Sequence, residues 1–216
     1  MARRCDPQFE PILSSAFNPD ELDRLPAAII GLWPDTRIAY LNPAWDEFAE
    51  QNGGKALIAE RWGLGAVYLD AVAQPLRPFY RALLDSASAS TDSLHPGSLH
   101  PGSHDYLCPS AALYRLFNMQ VYSLPAHAGY VLIHSLRIER PLDADKGETP
   151  DTTIYFDGNG ILHQCCHCRR VKNLVKDGAW DWVPEWVEEI PRNTSHTICP
   201  PCFEYYYRSP ARREDE

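Results

Sequence analysis

The chain has 216 residues, 44% of them hydrophobic and 11% aromatic, enough apolar material for one large globular domain or two small ones and too much for a disordered chain. Its formal charge of -9 reflects an acid excess on both sides of residue 150, which disfavours nucleic-acid binding, an interaction that rests on neutralising phosphates. No stretch approaches the roughly 20 apolar residues of a membrane span, and MARRCDPQFEPILSSAF has two arginines without the apolar run of a secretory signal. The seven cysteines are therefore expected to be reduced, in a cytoplasmic protein whose clustered thiols bind metal or do redox chemistry.

Asn18 opens the first element as an N-cap, with Pro19 at the first helical position and Glu21 three residues after the cap. The apolar runs AAIIGLW and RIAYLN, joined by the turn-forming PDT, predict two strands. The cap pattern returns at Asn42-Pro43 and predicts a helix with Trp45, Phe48 and Ala49 on one face and Asp46 and Glu47 in its first turn. Leu76, Phe79, Tyr80, Leu83 and Leu84 recur at spacings of three and four, a second helix. The tandem repeat Leu94–Ser98 and Leu99–Ser103 has the composition of a flexible insertion, and its histidines offer only adventitious metal binding.

Two long strands follow, ALYRLFNMQVYSLP and GYVLIHSLRIER, connected by PAHAG. In the first, Leu113, Arg115, Phe117, Met119 and Val121 share one face, and Tyr114, Leu116, Asn118, Gln120 and Tyr122 the other. Two strands, short helices and a terminal antiparallel hairpin predict an α+β domain built on one sheet with flanking helices, over residues 18–140. The polar stretch LDADKGETPDT marks a linker, residues 141–152.

The cysteine-rich part, residues 153–208, begins with IYFDGNGILHQC, two expected strands around a Gly/Asn turn that delivers Cys165. Cys165 and Cys168 form one C-x2-C and Cys199 and Cys202 a second, with 30 residues between them. Four such thiolates suit the tetrahedral geometry of structural zinc, and the turn after each first cysteine lets amides face the sulfurs. Cys166, inside that turn, should point away, and His163 and His167 are expected to be exposed. His196, three residues before Cys199, is a candidate to replace one cysteine or to donate a supporting hydrogen bond. The interval is longer than the usual 15 to 20 residues and needs structure of its own. Val183, Trp186, Val187 and Ile190 lie at helical spacing, with Pro184 early in the turn.

Three other readings of the cluster stand beside structural zinc. Disulfides belong to secreted proteins. A redox switch would use the zinc thiolates with Cys166 as an extra thiol. A catalytic zinc needs an open coordination position, which four cysteines close. The basic group Arg169, Arg170 and Lys172 is a solvated face more readily than a nucleic-acid contact. No Walker loop, HExxH, GxSxG, kinase or helix-turn-helix segment is present.

The segment CCHCRRVKN, its tryptophan-rich interval and SHTICPPCFEYYY resemble a small cysteine-rich module appended to bacterial sensory proteins, over roughly residues 161–207. That resemblance implies metal binding by Cys165, Cys168, Cys199 and Cys202, matches His196 to the module's histidine, and supplies no defined activity. AAIIGLWPDTRIAYLNPAWDEFA and the closing strands, ending in LRIER, resemble a PAS domain over roughly residues 20–140. The flavin-binding motif and haem-ligating histidine of the best-known cofactor-binding PAS types are absent, and Cys108 and His134 are read as packed side chains. The two resemblances together imply a cytoplasmic, non-enzymatic signalling or adaptor protein in which PAS-type ligand or partner sensing is coupled to a structural zinc module. Protein partners, a small ligand in the PAS core and a homodimer fit that expectation; nucleic acid and membrane do not. The rival is a redox-responsive or zinc-dependent enzyme using Cys166, His167 or His196.

Overall fold

The computed structural model describes residues 4–51, 61–90, 102–142 and 147–207. The chain gathers into two compact units, one of residues 1–72, 77–104 and 118–136, the other of residues 73–76, 105–117 and 137–216. Both helix and sheet are present, as expected. Six strands form the larger sheet: β1 (Arg4–Cys5), β2 (Ala28–Leu32), β3 (Ile38–Leu41), β4 (Gly102–Leu107), β5 (Leu113–Ser123) and β6 (Tyr130–Pro141). Their order is β1-β3-β2-β6-β5-β4, so the last strand of the closing hairpin lies beside β2. The pairs β1–β3, β2–β3 and β2–β6 are antiparallel. The strands β4, β5 and β6 each contribute residues to both units.

In the first unit the two asparagine caps are in place. Asn18 accepts the Asp20 amide at 3.1 Å and starts the helix Pro19–Arg24. Asn42 does more than cap the helix Pro43–Gln51. Its side-chain oxygen accepts from the amides of Trp45 (3.2 Å) and Ile29 (2.9 Å), and its amide nitrogen donates to the carbonyls of Leu22 (3.2 Å) and Ala27 (2.9 Å). One fully buried side chain thus ties a helix start, a strand start and the preceding helix together.

The face of that helix matches the expected one at Ala49 but not at the two rings. Ala44 and Ala49 are buried, whereas Trp45 and Phe48 are only half-buried. The helix packs against β2, and small side chains permit the closest backbone approach, which displaces the large rings to the flanks. The second helix runs Arg77–Ser90 and buries Leu84 and Ala87, with Phe79, Tyr80 and Leu83 half-buried. On β5 the residues Arg115, Phe117, Met119 and Val121 of the expected face are buried and Leu113 is half-buried, while Asn118 of the opposite face is buried as well.

Residues 4–17 carry no periodic signal, yet they build part of the core. The helix Glu10–Ser14 and the residue before it bring Leu13 and Phe9 onto Ile29, Ala39, Tyr40 and Val131. Phe9 fits a slot made by two glycines. A Cβ on Gly31 would lie 2.7 Å from its ring, and one on Gly129 would lie 2.9 Å from it and 2.4 Å from the Leu32 carbonyl oxygen. The LHPGS repeat falls largely on residues 94–101, outside the described residues, and its last two residues, Gly102 and Ser103, begin β4.

The second unit holds a four-stranded sheet of β7 (Leu162–Cys165), β8 (Val171–Lys172), β9 (Trp180–Asp181) and β10 (Thr194–Thr197), in the order β10-β7-β8-β9. The pair β10–β7 is parallel and the other two pairs are antiparallel. The expected hairpin before Cys165 is reduced to a bridge between Phe156 and Leu162. In place of its first strand, Thr152–Tyr155 form a helical turn, because the Asp151 carboxylate accepts the Thr153 amide at 2.8 Å and competes with extension. The helix in the cysteine interval is Pro184–Glu188, and Ile190 lies beyond it, exposed ahead of Pro191.

Tyr155, Leu162, Val171, Val183 and Trp186 make a small core, with the Trp186 ring edge-on to Tyr155 at 5.5 Å. One Asp181 oxygen accepts from the Tyr155 hydroxyl (2.9 Å) and the Asn173 amide group (2.7 Å), and burial together with this bond raises the Tyr155 pKa. Among the described residues, no helix is long and apolar enough to cross a membrane.

Two outcomes follow. Asn42→Ala should lower the stability of the protein by about 3 kcal/mol in denaturant melts, beyond the ~1 kcal/mol of an isolated cap, because it strands buried amides and carbonyls. Asn42→Asp should also destabilise, since a carboxylate cannot donate to Leu22 and Ala27. The second outcome concerns His134, whose pKa burial lowers from 6.5 to about 4. Protonation then favours the unfolded chain, so His134 contributes fully above its unfolded pKa and that contribution is lost as pH falls through the window from 6.5 to about 4. The loss should reach about 3 kcal/mol and be smaller in His134→Gln, as read from urea midpoints at pH 7 and pH 4.5.

Candidate metal centre

Each knuckle is a local turn that the sequence around its cysteines enforces. In the first, the Cys165 amide donates to the Arg170 carbonyl at 2.8 Å and the Arg169 amide donates back to the Cys165 carbonyl at 3.0 Å. Arg169 takes φ 64° to close that turn, a left-handed conformation in which a side chain is strained. The Cys166 amide donates to the Thr197 carbonyl at 2.7 Å, which ties the turn to β10. The second knuckle is Cys199 in extended conformation followed by a single helical turn, Pro200–Cys202, closed by the Phe203 amide on the Cys199 carbonyl at 3.0 Å. Pro200 and Pro201 fix that turn but offer no amides.

The two turns bring four sulfurs together. The Sγ atoms of Cys165, Cys168, Cys199 and Cys202 all lie within 4.8 Å of one another, and those of Cys168 and Cys199 are 3.7 Å apart. Cys165, Cys199 and Cys202 are buried and Cys168 is half-buried, with Trp180, Ile198 and Tyr206 packed around them. All seven cysteines, each among the described residues, are outside any disulfide. The Cys165 sulfur accepts the amides of Cys168 (3.5 Å) and Cys199 (3.4 Å). Such a group can hold a metal ion.

Proximity splits the acidities of the four thiols. Cys165 is strongly lowered because Cys168, then Cys199 and Cys202, donate to its sulfur, while Cys202 is strongly raised as the thiol that donates to Cys165, Cys168 and Cys199. The group stabilises negative charge on one sulfur and opposes it on the next, as like charges at this distance must. A cation among them reverses that opposition.

The other cysteine and histidine candidates go elsewhere. Cys166 is outside the group, and burial, followed by the charge on Cys165, pushes its thiol up to about 11. His196 is exposed on β10 opposite Gln164 and does not join the sulfurs. His163 is half-buried and bonded to Asp157 at 3.0 Å. His167 overturns the expectation of exposure: it is 2% exposed. Its Nε2 accepts the Leu107 amide at 3.0 Å and its Nδ1 lies 2.8 Å from the Tyr207 hydroxyl. A backbone N–H only donates, so Nε2 carries no proton and the neutral ring donates to Tyr207 from Nδ1. The tyrosine-rich end after Cys202 was the only sequence signal of this packing; Leu107 gave none. The chain matches no protein-family model and no curated protein.

Serine at Cys165, Cys168, Cys199 or Cys202 should remove bound metal and destabilise the module around it, since ligand loss and unfolding are linked in so small a core. Cys166→Ser should keep both. Metal content per chain across the five variants, by elemental analysis, is the check; metal retained by a ligand variant and lost from Cys166→Ser would reverse the assignment.

Proposed function

We propose that the protein is a non-enzymatic signalling or adaptor protein, in which a PAS-type domain senses a ligand or partner and the cysteine module holds one structural zinc ion. The observation that carries the reading is the four-sulfur group within 4.8 Å. Four thiolates at the zinc–sulfur length of about 2.3 Å stand about 3.8 Å from one another, and the Cys168–Cys199 separation is 3.7 Å. The soft donor set favours zinc over the hard cations, and zinc here would supply folding energy and charge neutralisation.

The PAS part of the reading is supported by the element order: two strands, helices, then a hairpin whose last strand lies against the first of the two. The non-enzymatic part is supported by what surrounds the sulfurs. The donor set is closed, Cys166 stays a thiol near neutral pH, and His167 is engaged by Leu107 and Tyr207. A redox-responsive or zinc-dependent enzyme would need one of these groups, or His196, at an open metal position. Seven cysteines outside any disulfide agree with a reducing, cytoplasmic setting. A protein partner, a small ligand of the PAS core and a homodimer belong to the same proposal, and nucleic acid and membrane do not.

Native mass spectrometry of the full chain, purified under reducing conditions, reads metal, ligand and oligomer together. One zinc per chain is expected, retained in His196→Ala and Cys166→Ser. Zinc lost from His196→Ala would move the site to three cysteines and a histidine and favour the enzymatic reading. A chain that takes up no zinc from a zinc buffer would sink the proposal.

A further inference from the structure

We infer that His167 latches the end of β4 to the metal centre, so that order at the Leu107 amide and metal affinity regulate each other. The inference rests on the reading that the four cysteines hold a zinc ion. Its own basis is separate: the imidazole that accepts the Leu107 amide stands between Cys166 and Cys168, inside the first knuckle.

The latch has two jaws, one from each knuckle. His167 belongs to the turn held by the backbone bonds between Cys165 and Arg169 or Arg170. Tyr207, which fixes the ring through Nδ1, ends the turn Phe203–Tyr207 that continues directly from Cys202. Tyr206 of the same turn packs on the imidazole with ring centroids 4.2 Å apart and also against the cysteine group. The ring is therefore aimed only while the two knuckles are together, and bringing them together is what a shared metal does. Separated, the knuckles leave His167 without its orienting hydroxyl and stacking partner.

The amide it holds sits where a side-chain acceptor matters. Leu107 is the last residue of β4, which among the described residues is an edge strand of the six-stranded sheet paired with β5. The bond spans 60 residues of sequence within the second unit, so it is tertiary order and not a local turn. Reciprocity follows from linkage: if metal orders Leu107, then whatever orders or displaces Leu107 strengthens or weakens metal binding by the same factor. β4 also contributes residues 102–104 to the first unit, so the strand that ends in this hydrogen bond belongs in part to each unit.

The test is amide exchange by NMR on the full chain, with zinc bound and after zinc removal by a chelator. The Leu107 amide should exchange about tenfold or more faster without zinc, while the Ile29 amide, held by Asn42, stays unchanged. Equal exchange at Leu107 in the two states overturns the latch. His167→Phe keeps an aromatic ring against Tyr206 but removes the acceptor. It should retain one zinc per chain, bind it about tenfold more weakly, and show fast Leu107 exchange even when loaded. Protection of Leu107 in loaded His167→Phe also overturns the latch, and decides the matter if zinc removal unfolds the whole chain. A wild-type chain that binds no zinc defeats the zinc reading itself; one that binds zinc with an indifferent Leu107 defeats only the latch.

Discussion

Four sulfurs within 4.8 Å of one another impose a condition on everything around them. Without a cation the group cannot ionise fully, and the opposed acidities of Cys165 and Cys202 express that frustration. A dication among them would offset that repulsion by its attraction for the thiolates and hold the two knuckles together. Around the knuckles, the described residues offer one cluster of five buried apolar side chains, a pair of bonds to one Asp181 carboxylate oxygen, and the contacts of His167 with Tyr206 and Tyr207. So small a core, strained at Arg169, is the kind that a metal stabilises most.

The first unit solves a different problem with ordinary means. Its sheet is covered on one side by residues 9–22, locked by a phenylalanine ring in a two-glycine slot. Asn42 ties strand, cap and helix at a single buried point. Neither device involves a reactive group; both are packing and backbone satisfaction. Among the described residues, the group that could hold a metal lies in the cysteine module.

Legibility in the sequence followed the distance over which each feature is encoded. Knuckles, caps and the two hairpin strands are local, so the spacing of cysteines, Asn-Pro pairs and alternating apolar residues announced them. On the helix after Asn42 the expected face held at Ala49 but not at Trp45 and Phe48, because hydrophobicity points to the large rings while close packing on β2 favours Ala44 and Ala49. Thr152–Tyr155 turned helical on the strength of one aspartate cap. Phe9 and His167 were invisible for a shared reason. Their partners are a pair of glycines and a backbone amide, which have no side-chain signature and lie far along the chain.

The central claim, a closed four-thiolate zinc site, is tested most directly by zinc-edge X-ray absorption on the loaded full-length protein. Four sulfur neighbours at about 2.3 Å, with no nitrogen or oxygen in the first coordination sphere, is the result expected from the convergence of Cys165, Cys168, Cys199 and Cys202. Three sulfurs with one nitrogen or oxygen would contradict it, and would mean that a histidine or a water completes the site and that the metal has a position open to chemistry.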